Sequence, residues 1–391
     1  LAATAVRSAD AFGSANDFEP LRGVLLDTRT GTTSDNATPK VIGVRPAATT
    51  TTVKVAGRIY VPQTATGATL TISIDAPAAA GYATVYPCGA ERPLVSTINF
   101  ASGKSISNTA IVALGTGGSV CVYNSAAAHV VLSLQGYYTS TAETALLTPA
   151  RYMDTRPNEK TFDGTMQGIG AVSAGGNLTL PVGNRGQVPL NATSAIMTVA
   201  VKAIGSGYVT VWPCDVARPT ASTINFVAGT IVANTVITSI GTDQSVCFYS
   251  SAQVHLIVDV TGYSDNKSNY RPLVPARLMD TRPGKSTIDG QEAGEGAFAA
   301  NSSRLVDIAA RGGLPGVPRA VMLNITITNP AASGLLRVRA CNTGDQWEIL
   351  FYAGQTIAKS AVVSVQAAGN ICVSSSAATN VVIDVVGYYE Y

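Results

Sequence analysis

Histidine is almost missing, with two in 391 residues. That leaves little room for metal or general acid–base sites built on imidazole. Charge is also scarce, at 13% against the ~25% usual in globular proteins. The 26 basic and 24 acidic residues leave a net charge of +2. This is not the basic excess of a nucleic-acid binder. No long apolar run occurs. Val130–Leu134 and Val254–Val260 fall far short of the ~18–20 residues of a spanning helix. No charged segment followed by an apolar one opens the chain. Its first residues, Leu1 to Asp10, are small and polar and read as the start of a mature chain after signal removal. No G-x-S-x-G elbow, H-E-x-x-H helix or phosphate loop appears. Hydrophobic residues are a normal 46%. A disordered chain or a coiled coil would need far more charge.

What is present is one unit written three times. Leu25-Leu26-Asp27-Thr28-Arg29 returns as Tyr152-Met153-Asp154-Thr155-Arg156 and as Leu278-Met279-Asp280-Thr281-Arg282. Thr84-Val85-Tyr86-Pro87-Cys88 returns as Thr210-Val211-Trp212-Pro213-Cys214, and weakly as Arg337 to Cys341. Arg92-Pro93 with Ser96 to Phe100 returns as Arg218-Pro219 with Ser222 to Phe226. Each copy closes on Gly-Tyr, at Tyr137, Tyr263 and Tyr388. A period of about 126 residues is too long for a solenoid and has the size of a domain. The expected layout is an N-terminal segment 1–19 and units 20–141, 142–266 and 267–391, the last degenerate.

Each unit reads as all-β. Short alternating runs rich in Val, Ile, Thr and Tyr are punctuated by Gly, Pro and Asn. Leu70, Ile72 and Ile74 alternate with Thr69, Thr71 and Ser73. Leu256, Val258 and Val260 alternate with His255, Ile257 and Asp259, implying one buried and one wetter face. The expectation is a β-sandwich or jelly-roll of seven to nine strands per unit. Six Cys fall two to a unit: Cys88 and Cys121, Cys214 and Cys247, Cys341 and Cys372. The repeat reduces the 15 conceivable pairings to one bond within each unit. A loop of this length, closed by a disulfide, stabilises by about 3–4 kcal/mol in the chain-entropy model. The rival reading is zinc, but no C-x-x-C or Cys–His spacing supports it. Disulfides place the chain in an oxidising compartment, secreted or at a cell surface.

The run Pro-x-Arg-Φ-x-Asp-Thr-Arg (Φ apolar), Val-Thr-Val-aromatic-Pro, Arg-Pro-x-x-Ser-Thr-Ile-Asn-Phe and a closing Gly-Tyr resembles a repeat of secreted actinobacterial proteins. Those repeats stand in tandem or attached to cell-wall amidases and other exported enzymes. The likeness spans the chain from about Pro20. In the middle unit Pro149, Arg151, Asp154, Arg156, Trp212, Arg218, Asn225, His255 and Tyr263 all fit. The first unit has Val24 in place of the leading Arg. The third has Asp345 to Phe351 in place of the Arg-Pro and Asn elements, and Asn380 in place of His. The resemblance implies an exported β module and brings no ligand, cofactor or catalytic residue.

Five groups are candidate site residues, each with a structural alternative. Asp27, Arg29, Asp154, Arg156, Asp280 and Arg282 could hold glycan. Their persistence in the degenerate third unit favours a turn-holding role. Tyr86 and Trp212 with Arg92 and Arg218 are the better ligand candidates, a sugar platform of exposed aromatic and Arg. The alternative is an aromatic packed beside the disulfide. Asn99, Asn225, Asn108 and Asn234 read as backbone caps. His129 and His255 share a strand position. Asp259 lies about 13 Å from His255 along a regular strand, so the two cannot bond directly. Tyr137, Tyr263 and Tyr388 read as buried residues or as contacts between units.

The reading is a non-enzymatic exported repeat protein that attaches to cell-wall or extracellular glycan. The alternatives are a structural subunit that assembles with copies of itself (a homo-oligomer or filament), and an accessory module of an exported enzyme. No metal, cofactor, nucleic acid or membrane span is expected. Non-reducing peptide mapping should recover Cys88–Cys121, Cys214–Cys247 and Cys341–Cys372. A single bond between units would overturn the repeat layout.

Overall fold

The computed structural model describes residues 17–30, 43–341 and 347–391. Among the described residues every regular element is a strand. Among the described residues no helix is long and apolar enough to cross a membrane. The first unit supplies β1 (Phe18–Asp27), β2 (Thr49–Lys54), β3 (Gly67–Asp75), β4 (Gly81–Pro87), β5 (Ile98–Phe100), β6 (Ile106–Ala113), β7 (Ser119–Asn124) and β8 (His129–Tyr138). The second supplies β9 (Thr144–Asp154), β10 (Gly176–Pro181), β11 (Ala192–Ala203), β12 (Gly207–Pro213), β13 (Ile224–Phe226), β14 (Ile231–Ser239), β15 (Ser245–Ser250) and β16 (Val254–Asp265). The third supplies β17 (Tyr270–Asp280), β18 (Ser302–Asp307), β19 (Ala320–Thr328), β20 (Gly334–Ala340), β21 (Trp347–Phe351), β22 (Ile357–Ser364), β23 (Asn370–Ser375) and β24 (Asn380–Tyr389).

These strands form six four-stranded sheets, two from each unit. In the first unit the orders are β1-β8-β3-β6 and β2-β7-β4-β5, and the same orders recur in the other two. The first strand pairs with the last and every pairing is antiparallel, a jelly-roll-like arrangement. The inward residues of each sheet pair make a separate apolar core, as Leu70, Ile72 and Ile74 do in the first unit. The other two cores span Tyr152 to Val260 and Leu278 to Tyr388. All three predicted disulfides are present. The recurring Gly of Gly-Tyr sits where the last strand crosses the first. A Cβ at Gly136 would lie 2.6 Å from Glu19 O, and one at Gly262 2.6 Å from Ala145 O. No side chain fits there.

The expectation of three separate domains is corrected: the six sheets close into one body. Strand β5 packs on β14, β13 on β22, and β21 back on β6. The equivalent strands β6, β14 and β22 also pack on one another. Three copies of one contact thus close a ring with threefold pseudosymmetry. At the meeting line Thr109, Thr235 and Ser360 occupy equivalent registers. Thr109 Oγ1 donates to Ser360 O at 2.6 Å, and Thr235 Oγ1 donates to Thr109 O at 2.5 Å. A shared apolar cluster that includes Ile111, Ile196, Ile237, Met322 and Val362 surrounds this line. The wetter face expected on β16 is dry at Ile257, Asp259 and Thr261, and only His255 at its start is half-buried. Alternation told which side chains share a face, but the neighbouring unit decided that both faces lose water.

One end of the body is an aromatic plug. Phe18 stacks on Tyr389 at 4.7 Å, Tyr270 lies 5.0 Å from Tyr389, and the Tyr138 and Tyr389 hydroxyls are 3.1 Å apart. In the second unit Thr144 and Ser264 hold the equivalent paired positions. They bond each other at 3.0 Å, and Thr144 Oγ1 donates to Asp17 Oδ2 at 3.2 Å. Asp17 is buried and also accepts from Asn269 N, Glu143 N and Ser268 Oγ. One carboxylate thus ties the start of the first unit to both later linkers. The unit 20–141 is correspondingly short by two residues at its start: Phe18 and Glu19 belong to β1, and Phe18 is core. Residues 1–16 lie outside the described residues.

Candidate binding face

The Asp-Thr-Arg triplets end β1, β9 and β17 with one geometry. Arg29 Nε and Nη2 donate to the two Asp27 oxygens at 3.0 and 2.7 Å, and Arg29 N donates to Oδ1 at 3.0 Å. Arg156 repeats this on Asp154, and Arg282 on Asp280. Burial disfavours the Asp280 charge, but the Arg282 bonds more than offset it and its pKa falls. Each Thr between them is buried and clips the first strand to the last. Thr28 Oγ1 accepts from Val130 N, Thr155 Oγ1 from Leu256 N and Thr281 Oγ1 from Val381 N. The same hydroxyls meet His129 Nδ1 at 3.3 Å, His255 Nδ1 at 3.1 Å and Asn380 Oδ1 at 3.1 Å. His and Asn are interchangeable here because each places a polar side-chain atom within hydrogen-bond reach of that hydroxyl. His255 meets Thr155, not Asp259. These residues hold the sheet together.

A second ion pair stands behind the triplets in two units. Arg151 Nε donates to Asp259 Oδ1 and Arg277 Nε to Asp384 Oδ1, both at 2.9 Å. Burial pushes Asp259 and Asp384 up despite these guanidinium partners. In the first unit the paired positions are Val24 and Ser133. Arginine and aspartate are thus absent together, as expected where either alone would be a buried unmatched charge.

Tyr86 and Trp212 are not an exposed platform, which corrects the sugar-platform expectation. They are 7% and 6% exposed. The loop after β4 folds over the outer end of its sheet, held by Thr84 Oγ1 to Val95 O at 2.6 Å and Val85 N to Thr97 Oγ1 at 2.9 Å. The second unit copies this with Thr210 to Ala221 O and Val211 N to Thr223 Oγ1. Tyr86 packs with Cys88, Cys121 and Tyr123, and Trp212 Nε1 donates to Val216 O at 3.2 Å. Trp347 of the third unit is buried too.

The two arginines instead cover different rings. Arg92 Cζ sits 3.8 Å above Tyr123, and Arg218 Cζ sits 3.6 Å above Tyr249. Beside them Tyr82 lies 5.9 Å from Tyr123 at 45°, and Tyr208 lies 5.9 Å from Tyr249 at 48°. Asn99 pairs across from Tyr82, and Asn225 from Tyr208. All four tyrosines are half-buried, on the outer faces of β4, β7, β12 and β15. The third unit has Leu335, Leu350 and Ser374 at these positions, and Arg337 pairs with Glu348 at 2.8 Å. The tyrosines carried a signal in the sequence: Tyr123 and Tyr249 follow a Cys by two, so they share its face. The remaining Asn candidates cap backbone as expected, Asn108 on Thr97 O and Asn234 on Thr223 O. Tyr137, Tyr263 and Tyr388 pack on their own cores, while the next residue, Tyr138 or Tyr389, makes the contact between units.

Arg151→Val should destabilise by about 3–5 kcal/mol in urea unfolding, because it strands Asp259. Arg151→Val with Asp259→Ser, the pair native to the first unit, should recover most of that loss. A double variant no more stable than the single one would show that the two charges are not coupled.

No family model and no curated protein matches this chain. Among solved structures, one described as the triple jelly roll fold and turret assembly of an archaeal virus is 8% identical, covers 96% of this chain and 92% of its own, and has a TM-score of 0.21. A structure of Sulfolobus turreted icosahedral virus is 9% identical over 95% of this chain and 91% of its own, with a TM-score of 0.20. The CBM22-1–CBM22-2 tandem of Paenibacillus barcinonensis Xyn10C is 12% identical over 62% of this chain and 99% of its own, with a TM-score of 0.18. Likenesses this distant carry no argument about what the chain does.

Proposed function

We propose that this is an exported, non-catalytic attachment protein of three homologous jelly-roll units. In this reading it binds cell-wall or extracellular glycan through its first two units. The observation that carries the reading is the duplicated face: Tyr82, Tyr123, Arg92 and Asn99, repeated as Tyr208, Tyr249, Arg218 and Asn225. The ring spacings agree between copies, at 5.9 Å each. Arginine covers Tyr123 and Tyr249, so the rings for stacking on a sugar are Tyr82 and Tyr208, each half-buried. The arginine beside each offers donors in a fixed fork to sugar hydroxyls. Two such faces on one rigid body raise avidity with no new contact. Three disulfides suit an oxidising compartment.

The second reading, a structural subunit, draws on the closed ring. The edges that meet inside it, β6, β14 and β22, are already used. Copies would have to pair through the outward sheet edges such as β2, β10 and β18.

Retention on wall polysaccharide, measured by affinity electrophoresis, should fall ten- to a hundredfold for Tyr82→Ala or Tyr208→Ala and vanish for the double variant. Full retention of the double variant would end the glycan reading at these faces. Light scattering on the same sample should give a monomer near 40.1 kDa. A discrete oligomer or a filament would favour the structural subunit.

A further inference from the structure

Lys359 lies on β22 at the line where the three units meet, and it is 2% exposed. Its Nζ donates to Ala233 O of the second unit at 3.0 Å and to Asn108 Oδ1 of the first at 3.5 Å. It therefore touches both other units and meets no carboxylate. Register places Lys359 at the position of Asn108 and Asn234: the three stand opposite Ile72, Val199 and Ile325 on the neighbouring strand. Two units satisfy this position with a neutral amide that bonds its own backbone. The third puts a titratable amine there.

The strands packed around it offer no compensating charge. No titratable side chain occurs on β6, β13, β14 or β19, and none on β22 besides Lys359 itself. On β20 stand Arg337 and Arg339, and on β21 stands Glu348, which pairs with Arg337 at 2.8 Å. Asp384 on β24, beyond β19, is taken by Arg277 at 2.9 Å. An ammonium held by one carbonyl and one distant amide oxygen is poorly compensated for its lost hydration.

We propose that Lys359 makes closure of the three-unit ring depend on pH, the closed junction holding the neutral amine and protonation loosening it. Burial is the cause: it pushes the group down from 10.5 to about 7. In an opened or unfolded chain the amine returns to the ordinary lysine range. Between about 10.5 and about 7 the open state binds a proton that the closed state refuses. Stability present above the ordinary lysine range is therefore lost as pH falls toward 7, and the loss is complete below it. A gap of more than three pH units shifts the closing equilibrium about a thousandfold.

The test compares urea unfolding of the full chain with that of Lys359→Met and Lys359→Asn from pH 6 to 10. The variants should gain on the native protein as pH falls from 10 to 7, by up to about a thousandfold in the unfolding constant, and the gap should stay level below 7. A gap that does not change with pH overturns the proposal. Should neither variant fold, the native chain labelled with ¹³C-lysine decides. A Cε resonance titrating near 7 supports it, and every lysine titrating near its ordinary value overturns it.

Discussion

Three equivalent strands, β6, β14 and β22, meet along one line, and much of the molecule follows from keeping that line dry. Backbone groups withdrawn from water must find partners. Here they find them across units, through Thr109, Thr235 and the Asn234 side chain that accepts from Ser360 N at 3.1 Å. Among separate subunits, a head-to-tail contact whose rotation closes makes such a ring. One chain reaches it with no cost of bringing three molecules together, because the linkers hold the units at high effective concentration. The carboxylate of Asp17, shared by both linkers, fixes the end where those connections cross.

The charged residues divide between two tasks. The arginines of the triplets, exposed in the first unit and half-buried in the other two, clamp the end of each first strand by bidentate bonds, the geometry in which an Arg–carboxylate pair is strongest. The buried pairs Arg151–Asp259 and Arg277–Asp384 lie deeper, where a lone charge would be costly. The first unit does without both partners, with Val24 and Ser133. Lys359 is the exception to this economy, a buried amine where the three units meet, with one carbonyl and one amide oxygen in hydrogen-bond reach.

The outer sheets look away from the ring and are free to differ. In the first two units they carry tyrosines stacked with an arginine. In the third they carry leucines and an Arg–Glu pair. The ring-facing sheets keep closely similar roles in all three, because every unit must fit its neighbours.

Local pattern determined the strand class, the repeat, the disulfide pairing and the holding role of Asp-Thr-Arg. Each of these depends on spacing or recurrence along the chain: Leu70, Ile72 and Ile74 alternate, and Cys88 and Cys121 return at fixed distances. Tertiary structure decided what covers each face. Alternation places Trp212 and Tyr249 on the same side of a sheet, but the loop after β12 buries the first and leaves the second half-open. It places Ile257 and Asp259 together on one side of β16, and the packing of that sheet on the other units through β9 and β14 goes with their burial. A strand's period encodes which residues share a face, and long-range packing decides whether that face meets water.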